Sequence, residues 1–209
     1  MRLFLFITLL FATSCSVTPR YKTLETYFAS KNLNEPTLKA LQHCHGYGCK
    51  YLQEISLSKK EWNTIKKPLL RKAKTPKIER KHLSESLKRF EKIVGHKTGT
   101  DADIADTFKK QGDFQLDCAD ESTNTTLYMK LLENEGLLKH HSVSPPKIRG
   151  AGNGIYWLHE TAVIKDNDTD IEYAVDSWWK DNGEEPYIIP LEEWAHGWKP
   201  EKEESKDAH

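Results

Sequence analysis

The chain has 209 residues, of which 37% are hydrophobic and 30% are charged. This length suits one domain, or one domain with an appendage, and the composition is polar for a globular protein without being that of a disordered one. The 31 basic residues balance 31 acidic residues, so the chain lacks the overall positive field that nucleic-acid-binding proteins carry. We therefore expect no nucleic-acid partner.

Residues 1–15 have the pattern of an export signal. Arg2 precedes a short apolar run that ends in small residues, and the run is too short to span a bilayer. The small residues lead to Cys15, which resembles the lipidated N-terminus of a bacterial lipoprotein. We expect an exported protein that a lipid anchor on Cys15 holds at the membrane, on the periplasmic side of the envelope. Residues 12–14 also fit an ordinary cleavage site, and a soluble periplasmic protein is the alternative.

Residues 21–100 are predicted to form a mostly helical N-terminal portion. Residues 21–28 and 37–43 are the first two predicted helical segments, and residues 50–56 are a possible short strand. This portion lacks any run that is apolar enough to span a membrane.

Two stronger helix signals follow within this portion. Ser58 and Glu61 have the spacing of a capping box, which starts a helix that Pro68 should kink or end. Thr75–Pro76 starts a second helix, whose apolar residues recur at helical spacing. Gly95 is the predicted C-cap of that second helix.

The chain has four cysteines: Cys15, Cys44, Cys49 and Cys118. Export makes disulfides permissible. If Cys15 carries lipid, Cys44 and Cys49 can pair across a loop with two glycines, and Cys118 is left over as a candidate reactive thiol. Zinc binding by residues 43–49, which include two cysteines and two histidines, stays open as an alternative, and so do unpaired structural cysteines. We predict the disulfide, with no metal and no other cofactor.

Cys118 stands just before or at the start of a predicted helix. From Ser122 onward, apolar residues recur at helical spacing. The exposed N–H groups and the dipole at a helix N-terminus favour a thiolate. Asp117, Asp120 and Glu121 crowd the same position with negative charge, which should raise the pKa of the thiol and oppose the helix effect.

Residues 155–164 and 171–178 are rich in β-branched and aromatic residues, and the polar run between them is a turn signal. They are predicted to form an antiparallel hairpin with a four-residue loop at residues 166–169. That loop places His159 directly opposite Asp176, on the face of the hairpin that points away from the core. A histidine beside an aspartate can act as a general base that a carboxylate orients.

The order Cys118, His159, Asp176 resembles that of the transglutaminase-like cysteine peptidases, a superfamily with a papain-like core. The resemblance rests on Cys-Ala-Asp at a helix start, on His159 within Trp-Leu-His-Glu-Thr-Ala-Val, and on Asp176 after Tyr-Ala-Val. It covers about residues 110–198 and implies a nucleophile, a base and an orienting carboxylate, in that order. The whole chain also resembles a family of exported bacterial proteins, which implies export but no particular activity.

The resemblance implies an α+β fold in which one helix packs on a small antiparallel sheet. Residues 101–198 would form this transglutaminase-like core after the helical portion, and residues 199–209 would be a disordered, charged tail. Residues 139–154, with two prolines and three glycines, are predicted to be a flexible connector inside the core. Gln111 and Gln115 are candidates for an oxyanion-hole side chain by residue type only.

Two functions are compatible with these patterns. The first is an exported, lipid-anchored cysteine hydrolase or acyltransferase that cleaves or transfers peptide or cell-wall amide bonds; its substrate follows from location and fold analogy alone. The second is a non-catalytic envelope lipoprotein that uses the same scaffold for binding, which the acidic residues around Cys118 motivate. Neither the substrate nor the oligomeric state follows from the sequence.

Overall fold

The computed structural model describes residues 21–107, 112–150 and 158–201. In these ranges the fold is mixed α+β, with five helices and two small antiparallel sheets. The elements are α1 (Leu24–Lys31), β1 (Leu41–His45), β2 (Tyr51–Ile55), α2 (Lys59–Lys66), α3 (Pro76–Thr98), α4 (Cys118–Asn134), β3 (His141–Arg149), β4 (His159–Asp166), β5 (Glu172–Asp176), β6 (Tyr187–Pro190) and α5 (Leu191–Ala195).

The predicted export signal and Cys15 lie outside the described residues, as do the last eight residues of the predicted tail. None of the helices within the described ranges is long and apolar enough to cross a membrane.

The two helices predicted from capping patterns are present. Ser58 and Glu61 form a reciprocal capping box at the start of α2, and the side chain of Thr75 accepts a hydrogen bond from the N–H of Ile78 at the start of α3. The predicted C-cap at Gly95 is wrong, because α3 continues to Thr98 and ends at Gly99, whose φ is +82°. Gly95 has a packing role instead: a Cβ there would meet the side-chain amide of Asn182 at 2.8 Å.

The predicted helix at residues 37–43 is wrong, because β1 occupies its second half. Strand β1 pairs with β2 in a two-stranded sheet, with Cys44 opposite Leu52. The side chain of Asn124 in α4 also bonds both the N–H and the C=O of Cys44. These tertiary partners satisfy the backbone groups that an isolated segment would place in a helix, so pairing outweighs local helix propensity.

The second sheet has four strands in the order β3-β4-β5-β6. Helix α4 packs on one face of it, and α3 packs behind α4. The main core lies between α4 and the sheet and includes Leu127, Leu131, Ala162, Ile164 and Val175. A smaller apolar cluster covers the opposite face, and it consists of Val163, Ala174, Leu191 and Trp194. Strand β4 is therefore covered on both faces.

The predicted hairpin is present, but its register is shifted by two residues. Ala162 lies opposite Val175, where the sequence predicts Tyr173. The shift arises at the turn, because the Asp166 carboxylate accepts the N–H groups of Asp168 and Thr169 and so keeps Asp166 in β4. A shift of two residues preserves which side chains share a face, so the predicted core face is correct while the predicted cross-strand partners are not.

Residues 139–154 are not simply a connector, because β3 occupies residues 141–149 at the edge of the sheet. Its pairing with β4 is interrupted between Ser144 and Lys147. Pro145 and Pro146 lie in this interruption, where their missing N–H groups cost no ladder hydrogen bond.

Candidate active site

Cys118 is the first residue of α4, as the sequence predicts. Asp117 is the N-cap, and its carboxylate accepts the N–H groups of Ala119 at 3.0 Å and Asp120 at 2.9 Å. The N–H of Cys118 is not one of the donors that this cap uses. A backbone N–H at the nucleophile is a group that can stabilise an oxyanion in acyl-transfer enzymes.

The thiol of Cys118 lies against the backbone at the start of β4. Its Sγ is 3.9 Å from the carbonyl oxygen of Leu158, and the N–H of Glu160 also hydrogen-bonds the sulfur. Cys118 therefore contacts the backbone on both sides of His159. This contact brings the predicted nucleophile to the strand that carries the predicted base.

The electrostatic environment keeps this thiol neutral. Burial raises the pKa of Cys118 to about 12, and the nearby charges of Asp117, Glu160 and Asp176 raise it further against the lowering effect of the Glu160 N–H. Two of these negative charges, Glu160 and Asp176, belong to the sheet, whereas the sequence predicted acidic neighbours only from the residues next to Cys118 in the chain. A resting thiolate is disfavoured, so a reaction at Cys118 requires a base that removes the proton during attack.

His159 and Asp176 form a buried pair. The imidazole Nε2 lies 2.7 Å from Asp176 Oδ2, and both side chains are almost inaccessible to solvent. An ionised carboxylate only accepts hydrogen bonds, so Nε2 carries the hydrogen and Nδ1 of the neutral ring carries the lone pair. Nδ1 is buried and has no hydrogen-bond partner among the residues that the structure describes. The ring is thus held in the tautomer of a general base.

Tryptophan side chains surround this pair. Asp176 Oδ2 also accepts the indole N–H groups of Trp179 at 3.2 Å and Trp194 at 2.8 Å. The imidazole of His159 lies within 5.7 Å, centroid to centroid, of the rings of Trp178, Trp179 and Trp194. The three rings exclude water from the His159–Asp176 hydrogen bond, which strengthens it.

Arg149 is a site residue that the sequence analysis missed. It lies directly across from His159 in the pairing of β3 with β4, and its guanidinium stacks on Trp194 with the central carbon 4.5 Å from the ring centroid. Burial lowers the pKa of Arg149, while the charges of Asp176 and Cys118 raise it. Arg149 could have been placed beside His159 if residues 141–149 had been predicted as an edge strand. The two prolines in this segment argued against a strand.

One of the two glutamines proposed for an oxyanion hole is used elsewhere. Gln115 uses its amide to bind the N–H of Ile104 and the C=O of Ala102, so it holds a loop. Gln111 lies outside the described residues. The backbone N–H of Cys118 is the remaining candidate from the predicted site.

Cys44 and Cys49 form the predicted disulfide, and Cys118 is a free thiol. The zinc alternative is wrong because the two sulfurs are bonded to each other and the two histidines have other hydrogen-bond partners. His43 is buried between the hydroxyls of Tyr128 and Thr100, and His45 bonds the C=O of Asp113. A disulfide is consistent with an oxidising, exported environment.

The disulfide loop is attached to the first turns of α4. Asp120 accepts the N–H groups of Tyr47 at 2.7 Å and Cys49 at 2.5 Å, and the residues from Gly46 to Cys49 all have positive φ. The Asp120 carboxylate also lies within 4.8 Å of both sulfurs, but its oxygens are used to hold the loop. The disulfide thus fixes the turn of α4 that follows Cys118.

A buried acid cluster, formed by Glu91, Asp103 and Glu121, lies behind the site. Glu121 accepts the hydroxyl of Ser177 at 2.6 Å and hydrogen-bonds Asp103. Burial raises the pKa of Asp103 to about 9 and that of Glu121 to about 7, and it raises the pKa of Glu91. The cluster therefore retains protons at neutral pH and adds less negative charge beside Asp176 than its composition suggests.

Comparisons of the chain with protein-family models, with curated proteins and with solved structures found no match.

Proposed function

We propose that the protein is a cysteine hydrolase or acyltransferase that acts on amide bonds. Cys118 is the nucleophile, His159 the general base and Asp176 the carboxylate that orients it. The observation that carries the proposal is the state of His159: Asp176 holds Nε2, while the buried Nδ1 has no partner among the described residues. An unpaired buried ring nitrogen is costly unless it has a functional partner.

The high pKa of Cys118 determines the order of events. The neutral thiol gives its proton to His159 Nδ1 while Sγ attacks the amide carbonyl carbon, and the carbonyl oxygen becomes an oxyanion near the Cys118 N–H. Asp176 stabilises the imidazolium that forms. The C–N bond then breaks as Nδ1–H protonates the leaving amine, and water or an acceptor amine releases the acyl group from the thioester.

The fold class supports this assignment. A helix that starts at the nucleophile and packs on an antiparallel sheet with the base and the carboxylate is the arrangement implied by the resemblance to transglutaminase-like cysteine peptidases. The export pattern of residues 1–15 and the oxidised Cys44–Cys49 pair favour an envelope location, with a lipid anchor on Cys15. Peptides and cell-wall cross-links are the amides at that location, so we propose them as the substrate class.

Alkylation of Cys118 by iodoacetamide tests the proposal. The rate is measured from pH 5 to 10 on the folded protein and read from the Cys118 peptide by mass spectrometry. If His159 takes the proton, wild-type protein is alkylated below the ordinary thiol pKa of about 8.5. In His159→Ala the burial-raised pKa of about 12 governs, so alkylation below pH 9 should be close to zero.

Two controls make the result specific. Cys118→Ser identifies the labelled peptide, and His96→Ala removes an exposed histidine without touching the site. Wild-type and His159→Ala proteins that follow the same pH profile would contradict the proposal.

A non-catalytic binding role is the second candidate, and the raised pKa of Cys118 is the observation that favours it. A buried neutral thiol with no base acting on it is a small apolar side chain. Alkylation that does not depend on His159 would select this candidate.

A further inference from the structure

We propose that Arg149 binds a carboxylate of the acyl-donor substrate beside Cys118, so that the enzyme prefers amides whose acyl side carries a negative charge. The inference rests on the proposed function and names the substrate class of the same site.

The guanidinium of Arg149 is held in a fixed place. Its Nη1 donates to the carbonyl oxygen of Trp194, and its plane stacks on the indole of that residue. Trp194 in turn donates to Asp176, and Arg149 is the cross-strand neighbour of His159. The positive charge is thus part of the wall of the catalytic site, and it lies close enough to Cys118 to interact with a negative charge that forms on the sulfur.

Among the described residues, this guanidinium has no carboxylate within ion-pair distance. Arg71 pairs with Glu85 at 2.6 Å and Arg80 lies 4.0 Å from Asp166, but none of the ion pairs found among the described residues includes Arg149. One of its five N–H donors binds the Trp194 carbonyl, and the described residues take no other. The charge of Asp176 acts favourably on Arg149, but the hydrogen bonds found at its Oδ2 among the described residues come from His159, Trp179 and Trp194 and not from Arg149.

Half-buried guanidinium N–H donors without acceptors are unfavourable unless a ligand supplies the acceptors. The planar fork of a guanidinium matches a carboxylate, which it binds through two parallel hydrogen bonds. A carboxylate of the acyl donor would satisfy the remaining donors and orient the scissile carbonyl near Cys118. This requirement selects acyl donors with an acidic side chain or a free terminal carboxylate.

The test compares two alkylating reagents that differ in charge. Iodoacetate and iodoacetamide react identically: Sγ forms a bond to carbon, iodide leaves, and the thiol proton passes to His159 and then to solvent. The ratio of the iodoacetate rate to the iodoacetamide rate at Cys118 isolates the effect of the carboxylate. We expect Arg149→Gln to lower this ratio about tenfold, as for the loss of one charge-assisted hydrogen-bonded contact, and Arg149→Lys to retain part of it.

Arg89→Gln is the matched control, because Arg89 also donates to a backbone carbonyl, that of Thr64, but lies away from the site. Its ratio should equal that of the wild type. An unchanged ratio in Arg149→Gln, including the case in which both reagents slow equally, would overturn the inference and leave Arg149 a structural residue. Iodoacetamide labelling that does not depend on His159 is a different result, and it would overturn the proposed function.

A measurement on wild-type protein covers the case in which Arg149→Gln fails to fold. Acetate should protect Cys118 from iodoacetate, while acetamide at equal concentration should not, and the protection should weaken at high salt. Equal effects of acetate and acetamide would overturn the inference.

Discussion

Trp194 of α5 donates its indole N–H to Asp176 Oδ2 at 2.8 Å. Trp194 is fully buried and forms the centre of the apolar cluster on the outer face of the sheet. A residue of the last helix therefore holds the carboxylate that orients His159, and the packing of that helix and the chemistry of the site depend on one side chain.

Trp194→Phe should weaken the site while most of the packing remains. Phe keeps an aromatic ring but lacks the N–H, and a buried hydrogen bond to a charged group contributes about 1.5–3 kcal/mol. We expect the free energy of unfolding in urea to fall by about that amount, and the iodoacetamide rate at Cys118 to fall with it. Trp62→Phe, in the main core, is the control and should not change the rate. Equal rates in wild type and Trp194→Phe would contradict this prediction.

Asp176→Asn should nearly abolish the reactivity of Cys118. The Asn side chain can present its amide N–H to His159 Nε2, which stabilises the tautomer with the hydrogen on Nδ1 and removes the base. We expect the iodoacetamide rate at pH 7.5 to fall at least about 100-fold. Asp168→Asn, at an exposed loop position, provides a control for the loss of one negative charge. Retention of the wild-type rate in Asp176→Asn, at unchanged thermal stability, would exclude an orienting role.

The buried acid cluster should make the protein less stable as pH rises from 7 to 9. Burial raises the pKa of Asp103 to about 9 and also raises that of Glu91, so the folded state keeps protons that the unfolded state has released. Each such group lowers the free energy of unfolding by about 1.4 kcal/mol per pH unit until its folded pKa is passed.

The pH window is chosen to separate this effect from the histidines. Burial lowers the pKa of His43 to about 3, which makes stability rise with pH only up to the ordinary histidine pKa of about 6.5. Urea unfolding at pH 7, 8 and 9 gives the slope, and Glu91→Gln should reduce it. Glu135→Gln, an exposed position, should leave the slope unchanged. A flat or rising profile in the wild type would show that the cluster is ionised in the folded protein.

Reduction of the Cys44–Cys49 disulfide should destabilise the protein and slow the reaction of Cys118. A bridge over a sequence separation of 5 restricts the unfolded chain by about 2 kcal/mol. Its loss also frees the loop that donates two N–H groups to Asp120.

Urea unfolding of Cys118→Ser with and without reductant measures how much the disulfide adds to the free energy of unfolding. This variant is used because it has no free thiol among its described cysteines. The double variant Cys44→Ser/Cys49→Ser should not respond to reductant and should show a reduced alkylation rate at Cys118. Identical unfolding curves with and without reductant would contradict the prediction.

The sequence predicted correctly which hairpin residues share a face, but it did not predict which residues pair across the two strands. Alternation within each arm, together with the predicted loop, assigns His159 and Asp176 to one face, and the structure has both on that face with a hydrogen bond between them. The register depends on the loop, and the Asp166 carboxylate moved the loop by one residue. The pair is therefore diagonal and not directly opposed, a separation that the imidazole of His159 can still bridge.

Contacts between segments that are distant in the sequence could not be predicted from local patterns. Nothing local to residues 37–43 indicates that Asn124 will bind the backbone of Cys44. The prolines of β3 likewise suggested a connector, although an edge strand accepts them. Arg149 was not predicted for this reason, whereas the starts of α2 and α3 were predictable because their capping signals are complete within a few residues.

The closeness of Cys44 and Cys49 along the chain has a consequence for how the newly made protein matures. Among Cys44, Cys49 and Cys118 of the unfolded chain, three single disulfides are possible, and two of them would consume Cys118. The entropic cost of closing a ring rises with its length, so the short ring between Cys44 and Cys49 forms in preference to either long one. The spacing of Cys44 and Cys49 thus directs oxidation away from Cys118 before any tertiary structure exists to protect that thiol.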